Sequence, residues 1–203
     1  MSRSLTRRLG RLCIVLCLAA AIGCGGGGGG AVTSGLTASF TGSGTSVAPD
    51  HVRLRPGSGS GDRVTVEVAI GGQTTSTDLY YFAFDLVLGD SSVAEYVSGT
   101  AVFGDALTLS GSQTGSAQGA QNGNRVVVGV TKLGGGSGNG VTATEAIVVC
   151  LTFRVKKAGT TTLAIAGSTS PQNPTGDPAA VDSHGGVVQT VHFDTASAVI
   201  SAQ

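Results

Sequence analysis

Apolar and polar residues alternate along much of this chain from residue 52 onward. Val64, Val66, Val68 and Ile70 alternate with Thr65, Glu67 and Ala69, the period of a half-buried strand. Phe82, Phe84, Leu86 and Leu88 alternate in the same way with Ala83, Asp85 and Val87. Val149, Leu151, Phe153 and Val155 form a third row, and residues 125–130 are β-branched behind Asn122-Gly123, a strong tight-turn signal. Residues 160–166, 187–191 and 198–200 complete the set, and Leu36 and Phe40 suggest an edge strand ahead of it. Glycine-rich stretches at 57–61, 111–123, 134–140 and 168–186 read as turns. No stretch sustains a 3.6-residue period, although residues 91–96 allow one short helical turn. The pattern predicts an all-β fold: one two-sheet antiparallel β-sandwich of about nine strands. Phe84, Leu86, Leu151 and Phe153 are expected to fill the space between its sheets.

The start of the chain follows another rule. Arg3, Arg7, Arg8 and Arg11 precede an apolar run of eleven residues, Leu12 to Ile22, which ends in small residues. This is the layout of a secretory signal. As a helix the run reaches roughly 16 Å, about half a bilayer core, so it is too short for a membrane span. Ala21-Ile22-Gly23-Cys24 resembles the bacterial lipobox, with Ala21 where that motif usually has Leu. The resemblance implies cleavage before Cys24, a diacylglyceryl thioether on its sulfur and acylation of its amine. Each buried methylene contributes about 0.8 kcal/mol, and more than one acyl chain makes a stable anchor. Residue 25 is Gly and not the Asp of an inner-membrane retention signal, which implies an outer-membrane address. The alternative is cleavage after Ala19-Ala20-Ala21 and a free, secreted chain.

Six glycines follow Cys24. They match a dinucleotide-binding G-x-G-x-x-G only because every position is Gly, with no strand before and no helix pattern after, so no nucleotide is implied. They read instead as a flexible leash. The expected organisation is a lipoprotein signal peptide at 1–23, a Gly/Ser/Thr-rich leash with a possible edge strand at 24–49, and one sandwich domain at 50–203.

Composition narrows the function. With the four leading arginines set aside, eight basic side chains face twelve acidic ones, a net of −4. No basic face for nucleic acid is expected from that balance. The one remaining basic cluster, Lys156-Lys157 after Arg154, reads as a solvated strand end. Cys13 and Cys17 lie in the apolar run, so Cys150 has no disulfide partner once Cys24 is lipidated. Cys150 is expected in a strand as a packed, small apolar thiol.

Catalytic signals are weak. His51, His184 and His192 are scattered, and no G-x-S-x-G elbow occurs. Asp182-Ser183-His184 holds the three residue types of a hydrolase triad, but adjacent residues do not generally converge as a triad does, and the stretch reads as a loop. Asp78, Asp85 and Asp90 offer oxygen ligands of the kind calcium takes, yet they read more simply as surface carboxylates. No catalytic residue, metal ligand or cofactor is assigned.

Several segments together resemble the cohesin family, within a β-sandwich superfamily that also holds carbohydrate-binding modules. They are Gly61-Asp62-Arg63-Val64-Thr65-Val66-Glu67-Val68, Ala83-Phe84-Asp85-Leu86-Val87-Leu88, Ala94-Glu95-Tyr96-Val97, residues 125–134 (RVVVGVTKLG) and Leu151-Thr152-Phe153-Arg154-Val155. Leu36-Thr37-Ala38-Ser39-Phe40 is similar to a stretch of the single cohesin-like domains in predicted bacterial lipoproteins. The resemblance spans most of residues 50–166. It implies a jelly-roll sandwich and a non-catalytic, lipid-anchored binding module whose protein partner is dockerin-like or another envelope protein. Leu88-Gly89-Asp90 departs from the family's Tyr-Asp-Pro, and no motif marks partner-contacting residues. The sister modules imply polysaccharide binding instead, for which Tyr80, Tyr81 and Tyr96 are the tyrosines and no Trp exists. A structural envelope lipoprotein without a specific ligand is the third reading.

Overall fold

Period-two alternation has one physical outcome here: the long inner strands each have an apolar face, and two sheets bury those faces against each other. The computed structural model describes residues 35–43, 47–167 and 177–203, so Cys24, the apolar run and the glycine stretch lie outside the described residues. Among the described residues there are thirteen strands and no helix. They are β1 (Ala38–Thr41), β2 (His51–Ser60), β3 (Arg63–Gly71), β4 (Tyr81–Leu88), β5 (Ala94–Tyr96), β6 (Val102–Phe103), β7 (Thr114–Asn122), β8 (Arg125–Leu133), β9 (Glu145–Val155), β10 (Gly159–Ile165), β11 (Ala179–Val181), β12 (His192–Phe193) and β13 (Ala198–Ala202). One sheet runs β1-β13-β10-β4-β8-β7, with β11 also paired to β4. The other runs β12-β2-β3-β9-β5, with β6 also paired to β9. Pairing is antiparallel throughout except for the short parallel contact of β12 with β2.

The anticipated rows meet in the middle. Phe82, Leu86, Leu88, Leu151 and Phe153 are fully buried, and Phe84 nearly so. Tyr96 closes one end of the core, its ring edge-on to Phe153 at 5.9 Å. The edge strand suggested by Leu36 and Phe40 is β1, which pairs with β13 across Phe40 and Ile200.

Four local expectations are corrected. Residues 111–123 are mostly strand: β7 occupies Thr114–Asn122, and only its end turns, with Gly123 at φ +62°. Its inward glycines make room for rings from the opposite sheet. A Cβ on Gly119 would stand 2.8 Å from the Tyr96 ring, and one on Gly115 2.6 Å from Phe103. Residues 57–60 belong to β2, which carries on past an irregularity between Pro56 and Gly59. Residues 187–191 form no strand, only a bridge of Val187 to Val181, and pairing resumes at His192. The stretch 91–96 is a turn followed by β5 rather than a helical turn. The count exceeds nine because β6, β11 and β12 are two- or three-residue pairings that side-chain periodicity cannot signal.

Candidate functional site

Three places carry the chemistry raised by the sequence. The first is a meeting of loops. Asp78, Asp182 and His184 bring one donor atom each within 4.8 Å of one another, the one such group of three among the described residues. Both carboxylates already accept hydrogen bonds. Ser183 Oγ donates to Asp78 Oδ2 at 2.8 Å and the Gly138 amide donates to Asp78 Oδ1 at 2.6 Å. Asp182 Oδ1 accepts from the amides of His184 and Gly186, closing its own turn. The hydrogen bond from Ser183 holds the Asp78 carboxyl below its ordinary range, with burial opposing it and the Gly138 amide adding to it.

This group does not have the roles of a hydrolase triad. The Ser183 hydroxyl gives its proton to a carboxylate, and His184 turns one nitrogen, Nδ1, toward both Ser183 (3.3 Å) and Asp78 (3.6 Å). A triad needs the histidine to sit between the other two, using opposite nitrogens. His184 is 87 % exposed, so nothing around it excludes water. The arrangement fastens the 182–186 turn to the loops around Asp78 and Gly138.

The three aspartates weighed as oxygen ligands are separated. Asp78 lies in that loop group, and Asp90 accepts from the amide and hydroxyl of Ser92. Asp85 is buried, against the expectation of a surface carboxylate, and pairs with Arg125 across β4 and β8. Cys150 is also displaced from its expected place. Val149 and Leu151 turn inward, so the thiol faces outward on β9, half-buried between Glu67 of β3 and Val102 of β6. Burial pushes its pKa up, which disfavours the thiolate.

The second and third places are the outer faces of the two sheets, and they differ in kind. The β2-β3-β9-β5 face is charged. Glu145 receives Arg53 (2.7 Å) and Arg55, Arg55 also holds Glu67 (2.7 Å), and Glu95 receives Arg154 and Lys156. His51 and His192 stand side by side at its margin, ring centroids 5.2 Å apart.

The β4-β8-β7 face is nearly free of charge. Alternation directs Tyr81, Ala83, Asp85 and Val87 outward on β4, Arg125, Val127, Gly129, Thr131 and Leu133 on β8, and Ser116, Gln118 and Ala120 on β7. The Asp85–Arg125 pair neutralises its only two ionic groups on those rows. Val127 and Leu133 are 38 % and 49 % exposed. A shallow hollow of about 390 Å³ lies here, lined by Tyr81, Ala83, Gln118, Ala120 and Val127 and, at its rim, by the exposed carboxylate of Asp177. The β7 part of this surface is not visible to the periodicity of large apolar side chains, because its inward positions are Gly115, Ala117 and Gly119. The signal was present in small residues (Gly115, Ala117, Gly119) alternating with Thr114, Ser116 and Gln118.

No protein-family model matches the sequence, and no curated protein does. Solved structures similar to this chain include the type II cohesin A11 from Bacteroides cellulosolvens, at 13 % identity over 72 % of this chain and 96 % of that one, TM-score 0.49. A type II cohesin domain from the cellulosome of Acetivibrio cellulolyticus is 15 % identical over 73 % of this chain and 92 % of that one, TM-score 0.46. A type II Cohesin-X-Dockerin complex from the same organism matches at 11 % identity over 71 % of this chain and 92 % of that one, TM-score 0.47.

Proposed function

We propose that this chain is an exported, non-catalytic binding module of cohesin type, lipid-anchored through Cys24 and presenting the outer face of β4-β8-β7 to a protein partner. The observation that carries the reading is the contrast between the two outer faces. On the β2-β3-β9-β5 face, side chains satisfy one another through ion pairs. On the β4-β8-β7 face, Val127, Leu133, Ala83 and Ala120 meet solvent around a shallow hollow, with one neutralised pair beneath and the Asp177 carboxylate at its rim. An apolar patch with a polar surround is the kind of surface that protein partners cover. The sequence resemblance to cohesins supports a dockerin-like partner. The engagement of Asp78, Ser183 and His184 in fastening a loop supports a module without catalysis.

The lipobox-like stretch ending at Cys24 supports an envelope location, with the outer membrane as its address. Intact mass spectrometry of the protein from its own membranes tests the anchor. A chain beginning at Cys24 with added acyl mass is expected, and an unmodified chain beginning at Ile22 contradicts it. The face is tested by affinity capture from the native envelope. Val127→Asp is expected to cut the recovered partner at least tenfold, the loss on the order of 1.4 kcal/mol that a buried charge at an interface exceeds. Equal capture by wild type and variant would sink this assignment of the face. Tyr81 is one aromatic ring in the hollow. Glycan-array binding lost on Tyr81→Ala would favour polysaccharide as the ligand.

A further inference from the structure

The edges of the two sheets are unequal. Three of the four are short: β1 has four residues, β12 two, and β5 and β6 three and two. The fourth, β7, has nine residues, TGSAQGAQN, with no charge and no proline, and its register with β8 runs unbroken from Thr114 to Asn122. No residue of β7 is buried. Long sheet edges in monomers are ordinarily protected by a charge, a proline or a bulge, because a bare edge is a template for another strand. This edge has none of the three.

We propose that two copies of this chain pair through β7, edge to edge and antiparallel, in the register that sets Gln118 against Gln118 of the second copy. The backbone selects that register. Asn122 and Arg125 close a two-residue hairpin, which makes them a hydrogen-bonded pair. Antiparallel alternation then directs the amides and carbonyls of residues 114, 116, 118, 120 and 122 toward β8, and those of Gly115, Ala117, Gly119 and Gln121 toward the open side. Among the described residues, none of these four has a backbone partner outside the sheet. With Gln118 on the two-fold axis, Ala117 meets Gly119 and Gly115 meets Gln121 of the second copy, so all four open-side residues find partners.

The side chains fit the same register. Gln118 faces its own copy, where two amides can exchange hydrogen bonds, Ser116 faces Ala120 and Thr114 faces Asn122. No like charges meet anywhere along the strand, and the contact is self-complementary, as a two-fold interface requires. Pairing would extend the apolar outer face across both copies. This inference stands on the β7 backbone and does not depend on the proposed function.

The test is sedimentation velocity of the full-length chain in detergent over a concentration series, with three variants. The wild type is expected to sediment as a concentration-dependent dimer. Gln118→Lys, which sets two lysines about 5 Å apart across the axis, is expected to give monomer at the same concentrations with unchanged far-ultraviolet circular dichroism. In a background with Cys13, Cys17, Cys24 and Cys150 all replaced by Ser, Gln118→Cys is expected to form a disulfide-linked dimer on mild oxidation. Ser116→Cys is expected not to, since its copy lies four residues, roughly 13 Å, away along the strand. A chain monomeric at every concentration, a dimer that Gln118→Lys leaves intact, or equal cross-linking at 116 and 118 overturns the proposal. So does a monomer whose β7 edge instead takes an extended segment of another protein. The cysteine comparison reads the register directly even if Gln118→Lys perturbs folding.

Discussion

Lys132 ends the inward row Val126, Val128, Val130 of β8, where period two predicts an apolar side chain, and it is 2 % exposed. Among the described residues its Nζ reaches the Ser137 carbonyl, at 3.5 Å. Burial lowers its pKa from the ordinary 10.5, with the charge of Asp78 partly opposing the shift. A lysine whose folded value is depressed weakens the fold below that value, and the penalty lifts as pH rises toward the ordinary one. Lys132→Met should therefore raise the melting temperature at neutral pH, by about 1 kcal/mol of stability. The gain should shrink in alkaline buffer, and thermal melts at several pH values check both. Asp78 and Glu95 have the opposite sign. Hydrogen bonds from Ser183 and Arg154 hold their carboxyls below the ordinary range, so the stability they add is present above that range and lost as pH falls through their lowered values. Acid titration of Ser183→Ala should show a smaller loss than the wild type. Phe153, fully buried against Tyr96, has a simpler fate: Phe153→Ala should cost about 3–5 kcal/mol in denaturant unfolding.

Among the elements, β3, β4, β8 and β9 were legible in the sequence because each buries one face and so writes its period into the side chains. The strands that escaped reading bury little or pair briefly. β7 was obscured because its inward positions are glycines and alanines, selected by the Tyr96 and Phe103 rings that lie against them. The same explanation makes Gly119 replaceable only at a cost. Gly119→Ala puts a methyl 2.8 Å from the Tyr96 ring, and overpacking of this kind costs typically about 1–3 kcal/mol. Tyr96→Phe leaves that clash largely in place, whereas Tyr96→Leu should relieve it, and paired melts of the double variants distinguish clash from strand propensity. Asp85 marks the reverse limit. Its outward phase on β4 was correctly legible, but its burial beside Arg125 depends on a cross-strand neighbour forty residues away.

At the scale of the whole molecule, the sandwich separates two kinds of surface: a charged face closed upon itself and a charge-poor face open to solvent, with Asp177 at the rim of its hollow. The outward phases of Glu67 on β3 and of Ala83 on β4 were readable strand by strand. Which strands share a sheet was not, because sheet order follows from long-range pairing rather than local period. The proposed meeting of the open face with a protein is tested by a photocrosslinking residue placed at Val127 in the native cell, compared with the same residue at Thr65 on the charged face. One discrete protein adduct is expected at 127 and none at 65. Adducts of equal yield at both positions, or none at 127, would contradict it.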